Sequence, residues 1–205
     1  MQRRALTRAL ALLPVTSLAL PLAELTPAAE AKSKTLTFSN TSPIAIPGSG
    51  TEGNASPFPS TIQVSGFKKG KLQDVNVTIN NFSHAGTPDV GILVQAPNGH
   101  TALLLANAGD GAVSNLNITF DDNAAAPLVD GVPLISGTFR PSVFDFPSDS
   151  TAPFAPLADL NGSPPNGTWS LFVFDDASGD TGSIAGGWSL QIQATVQKKK
   201  RKKKK

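Results

Sequence analysis

Trp188-Ser189-Leu190-Gln191-Ile192-Gln193-Ala194-Thr195-Val196 is the stretch that decides the fold class. Trp188, Leu190, Ile192, Ala194 and Val196 alternate with Ser189, Gln191, Gln193 and Thr195. A period of two puts all the apolar side chains on one face of an extended chain, so this is a half-buried strand. Asp74-Val75-Asn76-Val77-Thr78-Ile79 repeats the pattern. Shorter strand candidates are Leu36–Phe38, Thr61–Val64, Val90–Ala96, Thr101–Leu105, Leu116–Phe120 and Trp169–Phe174. Turn residues separate them: Pro97-Asn98-Gly99, Gly109-Asp110-Gly111, Pro165-Asn166-Gly167 and Ser178-Gly179-Asp180. No sustained 3.6-residue period follows residue 31. Short strands joined by Gly, Asn and Asp turns predict an all-β, antiparallel β-sandwich.

Composition agrees. Eighteen Gly and seventeen Pro among 205 residues suit a turn-rich β protein and disfavour a helical bundle. The absence of cysteine excludes disulfide scaffolds, thiolate zinc sites and cysteine nucleophiles, and two histidines leave little for a His-based metal centre.

The net charge of +2 averages three unlike segments. Residues 1–31 read as an export signal. Arg3, Arg4 and Arg8 precede an apolar run from Ala9 to Ala23, and Ala29-Glu30-Ala31 supplies the small residues of a cleavage site. The run is shorter than the roughly 20 residues that span a bilayer and is interrupted by Pro14 and Pro21. A secreted or extracellular protein with no transmembrane segment after processing is expected. Residues 32–197 form the body, six bases against thirteen acids, a net −7. Roughly 165 residues suffice for one sizeable core. The stretch Ala124–Leu160 reads as a surface excursion with a short strand near Gly137–Phe139.

Residues 198–205 are an unbroken cationic tail: Lys198, Lys199, Lys200, Arg201, Lys202, Lys203, Lys204 and Lys205. Eight like charges repel and cannot build a core. The tail is expected to be disordered and to bind polyanions such as a cell-surface polymer or anionic lipid, with no specific nucleic acid implied. A solubilising role, or folding back on the acidic body, is the other reading.

Two passages carry a family resemblance. The first is Ser83-His84-Ala85-Gly86-Thr87-Pro88-Asp89-Val90, continuing through the apolar strand to Pro97-Asn98-Gly99-His100, with Thr119-Phe120-Asp121-Asp122 following. The second is Asn166-Gly167-Thr168-Trp169-Ser170-Leu171, then Asp175-Asp176, Gly179-Asp180-Thr181-Gly182 and Trp188-Ser189-Leu190. Together they resemble the P domain, or Homo B domain, of proprotein convertases and bacterial secreted subtilisin-like proteases, over roughly residues 36–196. Val90 stands where that family more often has Leu. The resemblance implies a jelly-roll sandwich that helps fold, stabilise or target a protease, here without the catalytic domain that usually precedes it.

The residues point the same way. Trp169 and Trp188 fall on the apolar faces of their strands and are expected in the core, with Gly167 and Gly187 at strand entries where a Cβ would crowd the backbone. A Ser-His-Asp triad needs an imidazole within reach of a nucleophile. His84 and His100 sit in no catalytic motif; His84 reads as a strand-end residue satisfied by backbone and His100 as an exposed turn residue. No catalytic residue is assigned and the chain reads as a non-enzyme. The functional reading is a secreted accessory or binding module with a secreted protease as possible partner. A split partner of a subtilisin-like endopeptidase acting in trans, or a surface structural protein held by the tail, are the alternatives. The one cofactor considered is Ca²⁺. Asp175, Asp176 and Asp180 crowd a single turn with alternating oxygen spacing, and Asp121 and Asp122 are the candidates to complete the shell. Plain turn hydrogen bonding is the competing role for all five.

Overall fold

The computed structural model describes residues 32–47, 51–144 and 156–196. The expected export signal and cationic tail lie outside the described residues. The strands of the first half are β1 (Lys32–Asn40), β2 (Ile44–Ile46), β3 (Gly53–Asn54), β4 (Ser60–Val64), β5 (Leu72–His84), β6 (Val90–Gln95) and β7 (Thr101–Ala106). Those of the second half are β8 (Val113–Phe120), β9 (Gly137–Phe139), β10 (Ser142–Val143), β11 (Gly167–Asp175), β12 (Gly182–Ile184) and β13 (Trp188–Val196). Two 3₁₀ turns, Thr87–Asp89 and Leu157–Leu160, complete the described elements. No helix among the described residues is long and apolar enough to cross a membrane.

The strands form two sheets facing one another over a single apolar core. In one sheet β5 is central. Its first half pairs with β13, which pairs with β1; its second half pairs with β12, which pairs with β2; and its other edge pairs with β8. In the other sheet β11 pairs with β6 on one side and with β4 and β3 on the other, and β7 follows β6. The sandwich is as expected, but it is not wholly antiparallel. The excursion supplies β9, parallel to β8, and β10, parallel to β7. Chain that returns from a loop rather than a hairpin is free to run either way. Only Arg140 and Pro141 separate β9 from β10, so the excursion steps from one sheet to the other. The Ser142 hydroxyl accepts from the Leu128 N–H at 2.9 Å, pinning buried Leu128 beneath this crossing.

Strand β5 shows how a phase error becomes a feature. Val75, Val77 and Ile79 are buried at odd positions, Phe82 and His84 at even ones. The slip occurs at Asn80-Asn81, where Asn81 has φ 53° and the register with β8 shifts between Ile79 and Phe82. Asn tolerates this left-handed conformation better than other non-glycine residues. The N–H of Asn81 donates to Oδ1 of Asn117 at 2.9 Å, and its carbonyl accepts from Ala185. The extra residue is thereby satisfied, and both halves of β5 turn their apolar side chains inward.

Trp169 and Trp188 are completely buried. Trp188 Nε1 donates to Ser60 Oγ at 3.0 Å, joining β13 to β4 across the core, and Trp169 Nε1 donates to the Pro165 carbonyl at 3.0 Å. Gly187, at φ 66°, lies so close to the Asn40 carbonyl that a Cβ would collide with it. Gly167, at φ 131°, faces the Pro97 ring. Both glycines are where the sequence places strand entries.

Replacing Trp188 with Ala removes a buried indole and should cost about 3–5 kcal/mol, a large share of the roughly 5–15 typical of a domain. Trp188→Phe keeps most of the apolar volume but strands the bond to Ser60, a loss of about 1–3 kcal/mol. Urea denaturation of both variants checks the order; a loss below about 1 kcal/mol for Trp188→Ala contradicts the core assignment.

Candidate functional site

The period-two pattern of β11 carries Trp169, Leu171, Val173 and then Asp175 inward, so this strand ends with a carboxylate at the edge of the core. The slip in β5 turns the last residue of that strand, His84, inward as well. The two meet between the sheets. His84 Nε2 lies 3.3 Å from Asp175 Oδ2, and both side chains are fully buried. The contact is within ion-pair distance but is not aligned as a hydrogen bond. Nδ1 meets the Gly86 peptide, 2.8 Å from its carbonyl oxygen and 3.2 Å from its nitrogen. Asp175 Oδ1 accepts from the Ala177 N–H at 3.1 Å. Gly182 on β12 packs flat against the imidazole, and a Cβ there would strike the ring.

Around this pair the end of the sandwich is acidic. The Asp180 and Asp89 carboxylates sit over Gly86, where a Cβ would collide with the first and crowd the second. The Asp89 carbonyl accepts from the Asp176 N–H at 2.9 Å, tying the 3₁₀ turn to the loop after β11. Burial raises the Asp89 carboxyl above its ordinary range, helped by a hydrogen bond to Asp180 and the charges of Asp180, Asp175 and Asp176. Burial likewise raises Asp176, followed by the charge of Asp175 and, more weakly, of Glu52.

The five aspartates expected to act together are divided. Along β5, Val77 pairs with Phe120 and His84 with Val113. Asp121 and Asp122 follow Phe120, so they lie on the order of 20 Å from the His84 end at about 3.3 Å per residue. They cannot complete a shell around Asp175, Asp176 and Asp180, and that part of the expectation is corrected. Their work is local: Asp122 accepts from the Leu157 and Ala158 N–H groups at 3.2 and 2.6 Å, and Asp121 from Asn123 N–H at 2.8 Å and Asn76 Nδ2 at 3.3 Å. Their charges help burial raise the pKa of neighbouring Asp74. At the other end Asp175 is turned inward onto His84, leaving Asp176 and Asp180 in the turn. Ca²⁺ takes six to eight oxygens, and among the described residues no three His, Asp or Glu side chains gather to hold a metal. The residues do not fit calcium as a set.

His100 is exposed in the β6–β7 turn, its N–H donating to Asn98 Oδ1 at 3.2 Å. His84 is held by backbone as expected, but its carboxylate partner was missed, as was Asp89. The available signal was the change of phase between Ile79 and Phe82, which marks His84 as inward-facing.

No family model matches the chain, and no curated protein matches it. Among solved structures, the Aeromonas sobria serine protease in complex with the chaperone is similar at a TM-score of 0.39 and 16% identity, over 81% of this chain and 27% of that one. A second structure of the serine protease of Aeromonas sobria gives a TM-score of 0.39 and 16% identity, over 83% and 28%. The chain spans less than a third of the length of these proteases.

The raised carboxyls set the sign of a pH effect. A proton held more tightly in the folded state stabilises it fully below the ordinary carboxylate pKa of about 3.9, and that stability is lost as the pH rises through the raised values. Asp89→Asn should therefore raise the melting temperature at pH 7 and flatten its fall between pH 4 and 7. Both groups are largely solvated, so the change should be a few degrees at most. Melting curves of wild type and variant across that range check it; a lower melting temperature for Asp89→Asn at pH 7 contradicts the repulsion.

Proposed function

We propose that this chain is a secreted, non-catalytic accessory module of the P-domain type, acting outside the cell to stabilise or position a subtilisin-like protease supplied as a separate chain. One observation supports the reading above others. The residues that carry the resemblance lie in passages roughly 80 positions apart, yet they meet at one end of the sandwich: His84 against Asp175, Gly86 beneath Asp180, Asp89 bonded to Asp176, and Gly182 against the His84 ring. Side chains that meet this way are parts of one junction. The junction is built as a joint. Asp175 and the Gly86 peptide occupy the two imidazole nitrogens, an arrangement that orients the ring and offers it no nucleophile.

The test is capture from the culture medium of the producing organism on the immobilised chain, with bound proteins identified by mass spectrometry. A subtilisin-like protease should be retained, and its half-life at elevated temperature should lengthen when the chain is added. The chain alone should not hydrolyse a protein substrate. Failure to retain a protease, with an unchanged half-life for any secreted protease tested, contradicts the proposal. A captured protease that is active only with the chain present makes the chain a split partner instead.

A further inference from the structure

Among the described residues the longest edge strand left uncovered along its whole length is β1; β8 is covered by β9 at its last three residues and β7 by β10 at its last two. Strands β2, β3, β9 and β10 have two or three residues each, and β4 has five. Strand β1 has nine, stands at the end of its sheet and pairs with β13 alone. Among the described residues no backbone hydrogen bond runs from β1 to any other strand. Its links to the facing sheet are made by side chains, Asn40 Nδ2 to the Thr61 carbonyl at 3.0 Å and Lys34 Nζ to the Gly66 carbonyl at 3.4 Å. The strand contains no proline, and no bulge interrupts its ladder with β13. A long, straight edge of this kind presents alternate unpaired N–H and C=O groups to any extended partner.

We propose that β1 is a self-association edge, pairing antiparallel with β1 of a second copy about a two-fold axis through Leu36. The sequence of the strand is matched to itself in that register. With Leu36 opposite Leu36, Thr35 falls opposite Thr37, Ser33 opposite Ser39, Lys34 opposite Phe38 and Lys32 opposite Asn40. No like charges meet, although the strand carries two lysines. Thr35 and Thr37 are exposed and would form two Thr–Thr pairs of the kind that stabilises sheets. Leu36, half-buried in one chain, would be covered at the axis. A slip by one residue places Lys34 opposite Thr37 or Asn40 opposite Ser33, and the Thr–Thr and Leu–Leu pairs are lost. A two-fold, isologous contact is self-limiting, so it gives a dimer and not a filament. Antiparallel pairing also separates the two Val196 residues, each of which pairs with Lys32 at its own end of β1.

The experiment measures the mass of the chain in solution by light scattering after size exclusion, across a hundredfold range of concentration and at 0.15 and 1 M NaCl. Wild type should show a mass twice that of one chain at both salt concentrations. Thr35→Lys with Thr37→Lys sets Lys against Lys twice across the axis and should give a monomer whose melting temperature shows that it is folded. Thr35→Glu with Thr37→Glu should do the same. Mixing the two variants places Lys opposite Glu at both pairs and should restore the doubled mass. A wild-type monomer throughout, a Lys variant that still dimerises, or a mixture that stays monomeric overturns the proposal. A doubled mass that disappears at 1 M NaCl also overturns it, since it would mean that the cationic tail holds an acidic body.

Discussion

The one-residue slip at Asn80-Asn81 is the constraint on which the rest of this sandwich depends. Without it, the pattern that buries Val75, Val77 and Ile79 would send Phe82 and His84 into solvent and leave the end of the core unfilled. With it, β5 serves two different neighbours along one side, β13 before the bulge and β12 after it. The cost of a left-handed Asn and a displaced backbone is offset by three bonds: the Asn117 side chain to the Asn81 N–H, and the two carbonyls of Asn80 and Asn81 to Gly186 and Ala185. Bulges of this type re-aim a side chain, and here the side chain is the imidazole that meets Asp175.

The His84–Asp175 contact is the second consequence. A buried polar contact adds little net stability, because desolvation offsets the attraction, but losing one partner leaves the other buried polar group without compensation. Such a pair works as a specificity device. It fixes the ends of β5 and β11 relative to each other, and the loop aspartates assemble around it. Its neighbours confirm how crowded that end is: Gly86 and Gly182 are glycines because carboxylates and the imidazole occupy the space a Cβ needs.

Much of this was legible in the sequence. Alternation located β13, most of β11 and the first half of β5 and put both tryptophans in the core, and a short strand near Gly137–Phe139 was expected within the excursion. What it underestimated were lengths. Leu36–Phe38 proved to be the centre of Lys32–Asn40, whose outer residues are polar and are strand only because β13 pairs with them. Ile44–Ile46, Gly182–Ile184 and Ser142–Val143 are too short for a period to show, and their strand character comes from partners distant in sequence. The parallel direction of β9 and β10 was hidden for the same reason. At the candidate site, reading Asp175 and Asp176 as a turn was half right. Asp175 still belongs to β11 and follows its inward parity, whereas Asp176 does not. Asp121 and Asp122 matched the chemistry of a calcium shell but not its place, and sequence carries no distance between loops at opposite ends of a strand.

A double-mutant cycle between His84 and Asp175 tests this account most directly. If the slip in β5 exists to seat the imidazole on the carboxylate, His84→Ala and Asp175→Ala should each destabilise the fold, and the double variant should lose less than the sum of the two. The expected coupling is about 1–3 kcal/mol, as for contacting residues in a shared network. Losses that add to within about 0.5 kcal/mol would mean that the two side chains do not depend on each other, and the joint between the sheets would have to lie elsewhere.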